Sequence, residues 1–126
     1  MARGLNKVMI IGNLGSDPEM RYTPAGRPVT SFSVATSRSW VTSEGERREA
    51  TEWFRVVAWG NLAEICNKYL SKGSRVYVEG RLQTRSWVNQ GQKHYRIEVV
   101  ANEMVLLDPR EPRLAEEEGV EEDSVV

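Results

Sequence analysis

Only one stretch of this 126-residue chain repeats its apolar residues at helical spacing: between positions 61 and 71, Leu62, Ile65, Cys66, Tyr69 and Leu70 fall on one stripe. Almost everywhere else the apolar period is two, which predicts strands arranged around a single helix. The helix carries its own end signals. Asn61 is a good N-cap with Glu64 three residues later, and Lys72 with Gly73 marks the C-terminus. Cys66, the only cysteine, lies on the apolar stripe and reads as a small core residue rather than a nucleophile.

The strands follow from parity. Residues 5–14, LNKVMIIGNL, form a run rich in β-branched side chains, expected as a first strand buried on both faces, with Gly12 marking a bulge or a close backbone approach. Residues 15–28 are dense in Gly, Pro, Asp and Thr and are expected as loop and turns. In residues 30–37, Thr30, Phe32, Val34 and Thr36 alternate with Ser31, Ser33, Ala35 and Ser37, as in a half-exposed strand. The polar segment TSEGERREA, residues 42–50, is expected as a long, mobile hairpin loop. In TEWFRVVAW, residues 51–59, Trp53, Arg55, Val57 and Trp59 share one side, and Phe54, Val56 and Ala58 the other.

After the helix, Val76, Val78, Gly80 and Leu82 alternate with Arg75, Tyr77, Glu79 and Arg81, and the outward parity continues through Gln83, Arg85 and Trp87. A turn is expected at 89–92. A last strand at about 94–100 places Tyr95, Ile97 and Val99 inward, with further apolar positions at 104–107, before Pro109 and Pro112 end regular structure. Three strands, one helix and two strands make the order of an OB-fold: an all-β, five-stranded antiparallel Greek-key barrel with one helix between strands 3 and 4. The domain is expected at 1–108 and a short acidic, disordered tail at 109–126.

Charge also divides the chain, at residue 113. All 17 Lys and Arg lie at or before residue 113, against 12 acids there, a net of +5; residues 114–126 hold the other six acids and no base. A basic body with an acidic tail suits a polyanion-binding domain, although a charge run is usually only a solvated terminus. No apolar run is long enough for a membrane span or signal peptide, so the expected location is cytoplasmic.

Four tryptophans then carry the functional reading. A Trp is more often a core or interface residue than a ligand platform. Here, however, Trp53 and Trp59 flank Arg55 on one strand face, and Trp87 shares a face with Arg85, Arg81 and Tyr77. A groove for single-stranded nucleic acid needs this interleaving: cations follow the phosphates, and ring faces accept any base. An enzyme fits poorly. His94 is the only histidine and sits beside a turn, no Gly-rich phosphate cradle precedes a helix, and no carboxylate cluster has two-metal spacing. No cofactor is called for.

The segments RGLNKVMIIGNLGSDPEMRYTPAG, ATSRSW, TEWFRVVAWGNLAEICNKYLSKGSRVYVEGRL and TRSW together resemble the bacterial single-stranded DNA-binding proteins over roughly residues 3–107. The resemblance implies an OB-fold homotetramer that wraps single-stranded DNA in replication, recombination and repair. It implies base stacking at Trp40, Trp53, Trp59 and Trp87, where many members have Phe in place of Trp59, and phosphate contacts from Arg3, Lys7, Arg21, Arg55, Lys72 and Arg85. The end of the chain departs from the pattern. Members usually finish with a Gly, Gln and Pro-rich linker, several Asp and an Ile-Pro-Phe peptide that recruits DNA-processing proteins, whereas this chain ends EEDSVV. Recruitment through the acidic tail is therefore not supported by the sequence. Two other readings stay open: an OB-fold assembly factor whose main partner is protein, and an RNA-binding module.

Overall fold

The computed structural model describes residues 3–108; the expected tail at 109–126 lies outside the described residues. The elements run β1 (Val8–Leu14), β2 (Glu19–Tyr22), β3 (Pro28–Val41), β4 (Arg47–Trp59), α1 (Asn61–Tyr69), β5 (Arg75–Asn89) and β6 (Gln92–Leu106). Five of the strands close on themselves in the order β1-β5-β6-β4-β3, and β3 returns to β1 through Asn13↔Ala35 and Leu14↔Val34. The helix α1 sits between the third and fourth barrel strands, so the five-stranded OB barrel is as expected. One closing pair is parallel, β4 to β6 at Val56↔Val99 and Val57↔Val100, where the sequence reading had only antiparallel strands.

Alternation fills the barrel. Ile10 and Leu14 of β1, Phe32 and Val34 of β3, Val56 and Ala58 of β4, Val76 and Val78 of β5, and Val99 and Ala101 of β6 are all buried. Cys66 of α1 and Leu70 just after it complete the same cluster. Fully burying one such Val stabilises the fold by about 1.5–3 kcal/mol. The helix is also tied to the barrel by Thr30, whose buried hydroxyl donates to the Ala63 carbonyl at 2.7 Å. At Gly12 the barrel closes tightly: a Cβ there would collide with the Ala35 carbonyl oxygen and lie 2.8 Å from Val34 Cγ1. The close approach expected at this glycine is present.

Several expectations need correction. The segment 15–28 is not all loop: β2 pairs with β3 from Glu19↔Ser31 to Tyr22↔Pro28. Its four residues are mostly exposed on both faces, so backbone hydrogen bonding, not a hydrophobic pattern, makes it a strand. The expected long loop at 42–50 shrinks to 42–46, because β3 and β4 stay paired through Trp40↔Arg48 and Val41↔Arg47. A Ser37–Thr51 hydroxyl pair at 3.0 Å supports that solvated ladder. The helix N-cap is Gly60, at φ 65°, with no side-chain cap; Asn61 is the first helical residue. The Gly60 carbonyl accepts from the amides of Ala63 and Glu64, and glycine is suited to that left-handed φ.

The first strand is not buried on both faces. Met9 is 65% exposed and Ile11 49%, since none of the described residues covers the outer face of β1. Of the three residues expected inward on the last strand only Val99 is buried, while Tyr95 and Ile97 stand more than half exposed. They keep the parity of Val99, but β5 and β6 run beyond the barrel wall there as a two-stranded arm. The arm ends in a two-residue turn at Gln90 and Gly91, both with positive φ, as a tight hairpin requires.

Candidate nucleic-acid interface

Outward parity on β4, β5 and β6 meets β2 and the start of β3 in a groove of about 530 Å³. Arg21 and Tyr22 of β2, Arg55 and Trp59 of β4, Gln83 and Arg85 of β5, and Glu98 of β6 are among its lining residues. Four of the ten residues expected at the site, Arg21, Arg55, Trp59 and Arg85, therefore come together here although they lie far apart in sequence. Trp59 is partly covered by Arg27, whose guanidinium carbon is 4.9 Å from the ring centroid.

Glu98 is the acid within this basic wall. Its side chain is only 7% exposed, and its Oε2 faces three guanidinium groups: Arg55 Nε donates to it at 3.3 Å, and nitrogens of Arg85 and Arg96 lie at 3.7 and 3.9 Å. A carboxylate that has lost its water needs such partners. Here one anion is shared by three cations, so the wall keeps a net positive charge.

The other tryptophans extend from this groove along the strands. Trp53 is on the same side of β4 as Arg55 and Trp59 and is 60% exposed, with its ring tip lying over Gly15. Six residues of strand put Trp53 and Trp59 about 20 Å apart. Trp87 lies on the β5–β6 arm, paired in register with His94; the two rings stack at 5.6 Å with 22° between planes, and Arg96 lies 5.2 Å from the indole centroid. Trp40 lies on the β3–β4 arm beneath Arg38, 4.5 Å away. It belongs to β3, which continues past the strand expected at 30–37.

Three expected phosphate contacts are not among the groove-lining residues. Lys7 is committed to Glu79 at 3.1 Å, beside Met9 and Ile11. The Tyr77 hydroxyl also donates to Glu79 at 2.6 Å. That bond, and then the Lys7 contact, hold the Glu79 carboxyl below its usual range, while the same bond raises the Tyr77 phenol. Lys72 follows the helix, where its backbone amide donates to Asp17 at 2.8 Å. Arg3 is exposed in the segment before β1.

Sequence reasoning missed Arg27, Arg38, Arg96 and Glu98. Two carried a readable signal, since Arg38 precedes Trp40 by two residues and Arg96 follows His94 by two, each on one strand face. Glu98 carried none, because its burial is imposed by Arg55 and Arg85 from other strands.

A closed five-stranded barrel with a helix between its third and fourth strands, and with aromatic and cationic side chains along one outer groove, defines an OB-fold protein of the oligonucleotide-binding type. The comparisons with known proteins agree. The model of the Single-strand binding protein family matches residues 5–107. Single-stranded DNA-binding protein 1 of Chlorobaculum tepidum is 54% identical over 113 residues, which is 88% of this chain and 70% of that protein. The chain belongs to the single-strand binding protein family. Among solved structures, the SSB of Plasmodium falciparum in complex with single-stranded DNA superposes with a TM-score of 0.78 at 35% identity, covering 86% of this chain and 99% of that one. A deletion mutant of the single-stranded DNA binding protein from Thermus aquaticus gives 0.75 at 38% identity, covering 87% of this chain and 54% of that one.

Proposed function

We propose that the chain binds and protects single-stranded DNA without sequence preference, as a non-catalytic protein of replication, recombination and repair. The observation that carries this reading is the shared groove, in which Trp59 stands in one wall with Arg21, Arg55 and Arg85. Rings take base faces and guanidinium groups take phosphates, a division that needs no base-edge readout. Trp53, Trp87 and Trp40 continue the path along β4 and onto the two arms, and each stacked base contributes about 1–3 kcal/mol. Arg3, Lys7 and Lys72 extend phosphate contact outside the groove, with Lys7 released from Glu79 to do so. The binding domain is residues 1–108, and 109–126 are an acidic appendage.

The protein acts as a homotetramer. Met9 and Ile11 of β1 and Val105 of β6 are exposed and joined through Tyr77, which pairs with both Ile11 and Val105. An apolar strip of this kind on an outer barrel face is suited to burial against another copy. Among the described residues no helix is long and apolar enough to cross a membrane; the place of work that follows from the DNA reading is the nucleoid.

Titration with oligo-dT tests the reading. Tryptophan fluorescence is expected to be quenched, and log affinity to fall with log salt by about 0.7 for each phosphate neutralised. Absence of both quenching and salt dependence would overturn it. A matched RNA strand binding more tightly than DNA would favour the RNA-binding alternative.

A further inference from the structure

We infer that Glu98 is a positioning residue for DNA binding: it holds Arg55, and with it Arg85, in the orientation that presents their guanidinium groups to the groove. The inference rests on the single-stranded DNA reading of that groove.

Arg55 is the anchored member. Its Nε donates to Glu98 Oε2, and this is the one hydrogen bond of the three contacts; Arg85 and Arg96 approach the same oxygen at longer range. An arginine held through Nε keeps its two terminal nitrogens for another acceptor, and its planar fork is fixed in direction before any ligand arrives. Exposure is graded to match. The Glu98 side chain is 7% exposed, Arg55 31%, Arg96 42% and Arg85 57%, so the anion lies at the bottom and the cations above it. The fold enforces the arrangement from three strands. Arg55 and Glu98 immediately precede the parallel partners Val56 and Val99, and Arg85 is cross-strand from Arg96 on the arm.

A buried acid beneath a phosphate site has two opposite consequences. Its charge repels the DNA backbone, so removing it would tighten binding if charge alone mattered. Its charge-assisted hydrogen bond fixes a long, flexible side chain in advance, so replacing it by the weaker bond to a neutral acceptor would weaken binding if position mattered more. The two effects differ in sign, and one substitution separates them.

The test is the affinity of full-length wild type, Glu98→Gln, Arg55→Gln and the double variant for labelled oligo-dT over a range of salt, with thermal melts confirming that each is folded. Positioning predicts that Glu98→Gln weakens binding roughly tenfold, the lower end of what a charge-assisted hydrogen bond contributes. It also predicts a salt slope no shallower than wild type, and that the substitution loses most of its effect once Arg55 is already Gln. Tighter binding by Glu98→Gln overturns the inference, as does an equal loss with and without Arg55, which would mark a general structural defect. If Glu98→Gln does not fold, Arg55→Lys takes its place: a lysine keeps the charge but has no Nε to anchor, and affinity equal to wild type then overturns the inference. Failure of wild type to bind oligo-dT would instead overturn the reading of the groove itself.

Discussion

Gly12 and Gly15 lie three residues apart, yet their substitution by alanine should fail in different ways. A Cβ on Gly15 would sit 2.5 Å from Trp53 Cζ3 and 2.8 Å from Cη2. Ordinary carbon contacts need about 3.5–4.0 Å, so something must move by roughly 1 Å. The backbone is held, because the Gly15 amide donates to the Ser33 carbonyl at 3.1 Å. The indole is the free partner: it is 60% exposed and the clashing atoms are its far end. Gly15→Ala should therefore swing Trp53 off its present position while costing less than about 1 kcal/mol of stability, as for a surface change that leaves the core intact. If Trp53 stacks a base, the loss of binding is bounded by the ~1–3 kcal/mol of one stacking platform, or roughly 5- to 150-fold. Gly12→Ala is the control. Its Cβ meets the Ala35 backbone where β1 closes onto β3, and overpacking there should cost about 1–3 kcal/mol, with Tm falling by about 4–8 °C for each kcal/mol. Anisotropy titrations with labelled oligo-dT, paired with thermal melts of both variants, distinguish the cases. Unchanged affinity in Gly15→Ala would refute the assignment of Trp53 to the binding surface, and a Tm loss matching that of Gly12→Ala would refute the expectation that the indole gives way.

Three further outcomes are expected. Burial pushes the Cys66 thiol up to about 11 from an ordinary 9.0, so it should resist a thiol-specific chromophoric reagent at pH 8 until the protein unfolds. Because its folded pKa is raised, its contribution to stability is complete below pH 9 and is lost as pH rises towards 11; rapid labelling under native conditions would contradict this. Thr30→Val keeps the shape of a buried side chain but removes the hydroxyl that bonds Ala63, and denaturant unfolding should show a loss of about 1 kcal/mol with DNA affinity unchanged. Deleting residues 114–126 removes six acids from a chain whose remainder carries +5, and oligo-dT should then bind more tightly at low salt but not at high salt, where screening already weakens the competition.

Legibility in the sequence followed burial. Hydrophobic alternation reports a strand only where one face is covered, so the barrel staves around Val34, Val56, Val78 and Val99 could be read from period two alone, and α1 from its single apolar stripe. The same rule explains the failures. β2 and the outer halves of β3, β4, β5 and β6 are solvated on both faces, and their pairing comes from backbone hydrogen bonds that leave no periodic trace. Trp53 and Trp59 could be assigned from strand parity because they sit on a stave whose other face is core. Trp40 could not, since the β3–β4 arm that carries it looked like a loop, and Tyr95 and Ile97 were read as core because parity carries no information about where the barrel wall ends. Glu98 is the extreme case: an acid in a strand reads as solvated until the strands that supply Arg55 and Arg85 are placed beside it. A binding surface built on arms that leave the barrel is therefore harder to read than the barrel that supports it. Its residues answer to a ligand and to each other, not to a core.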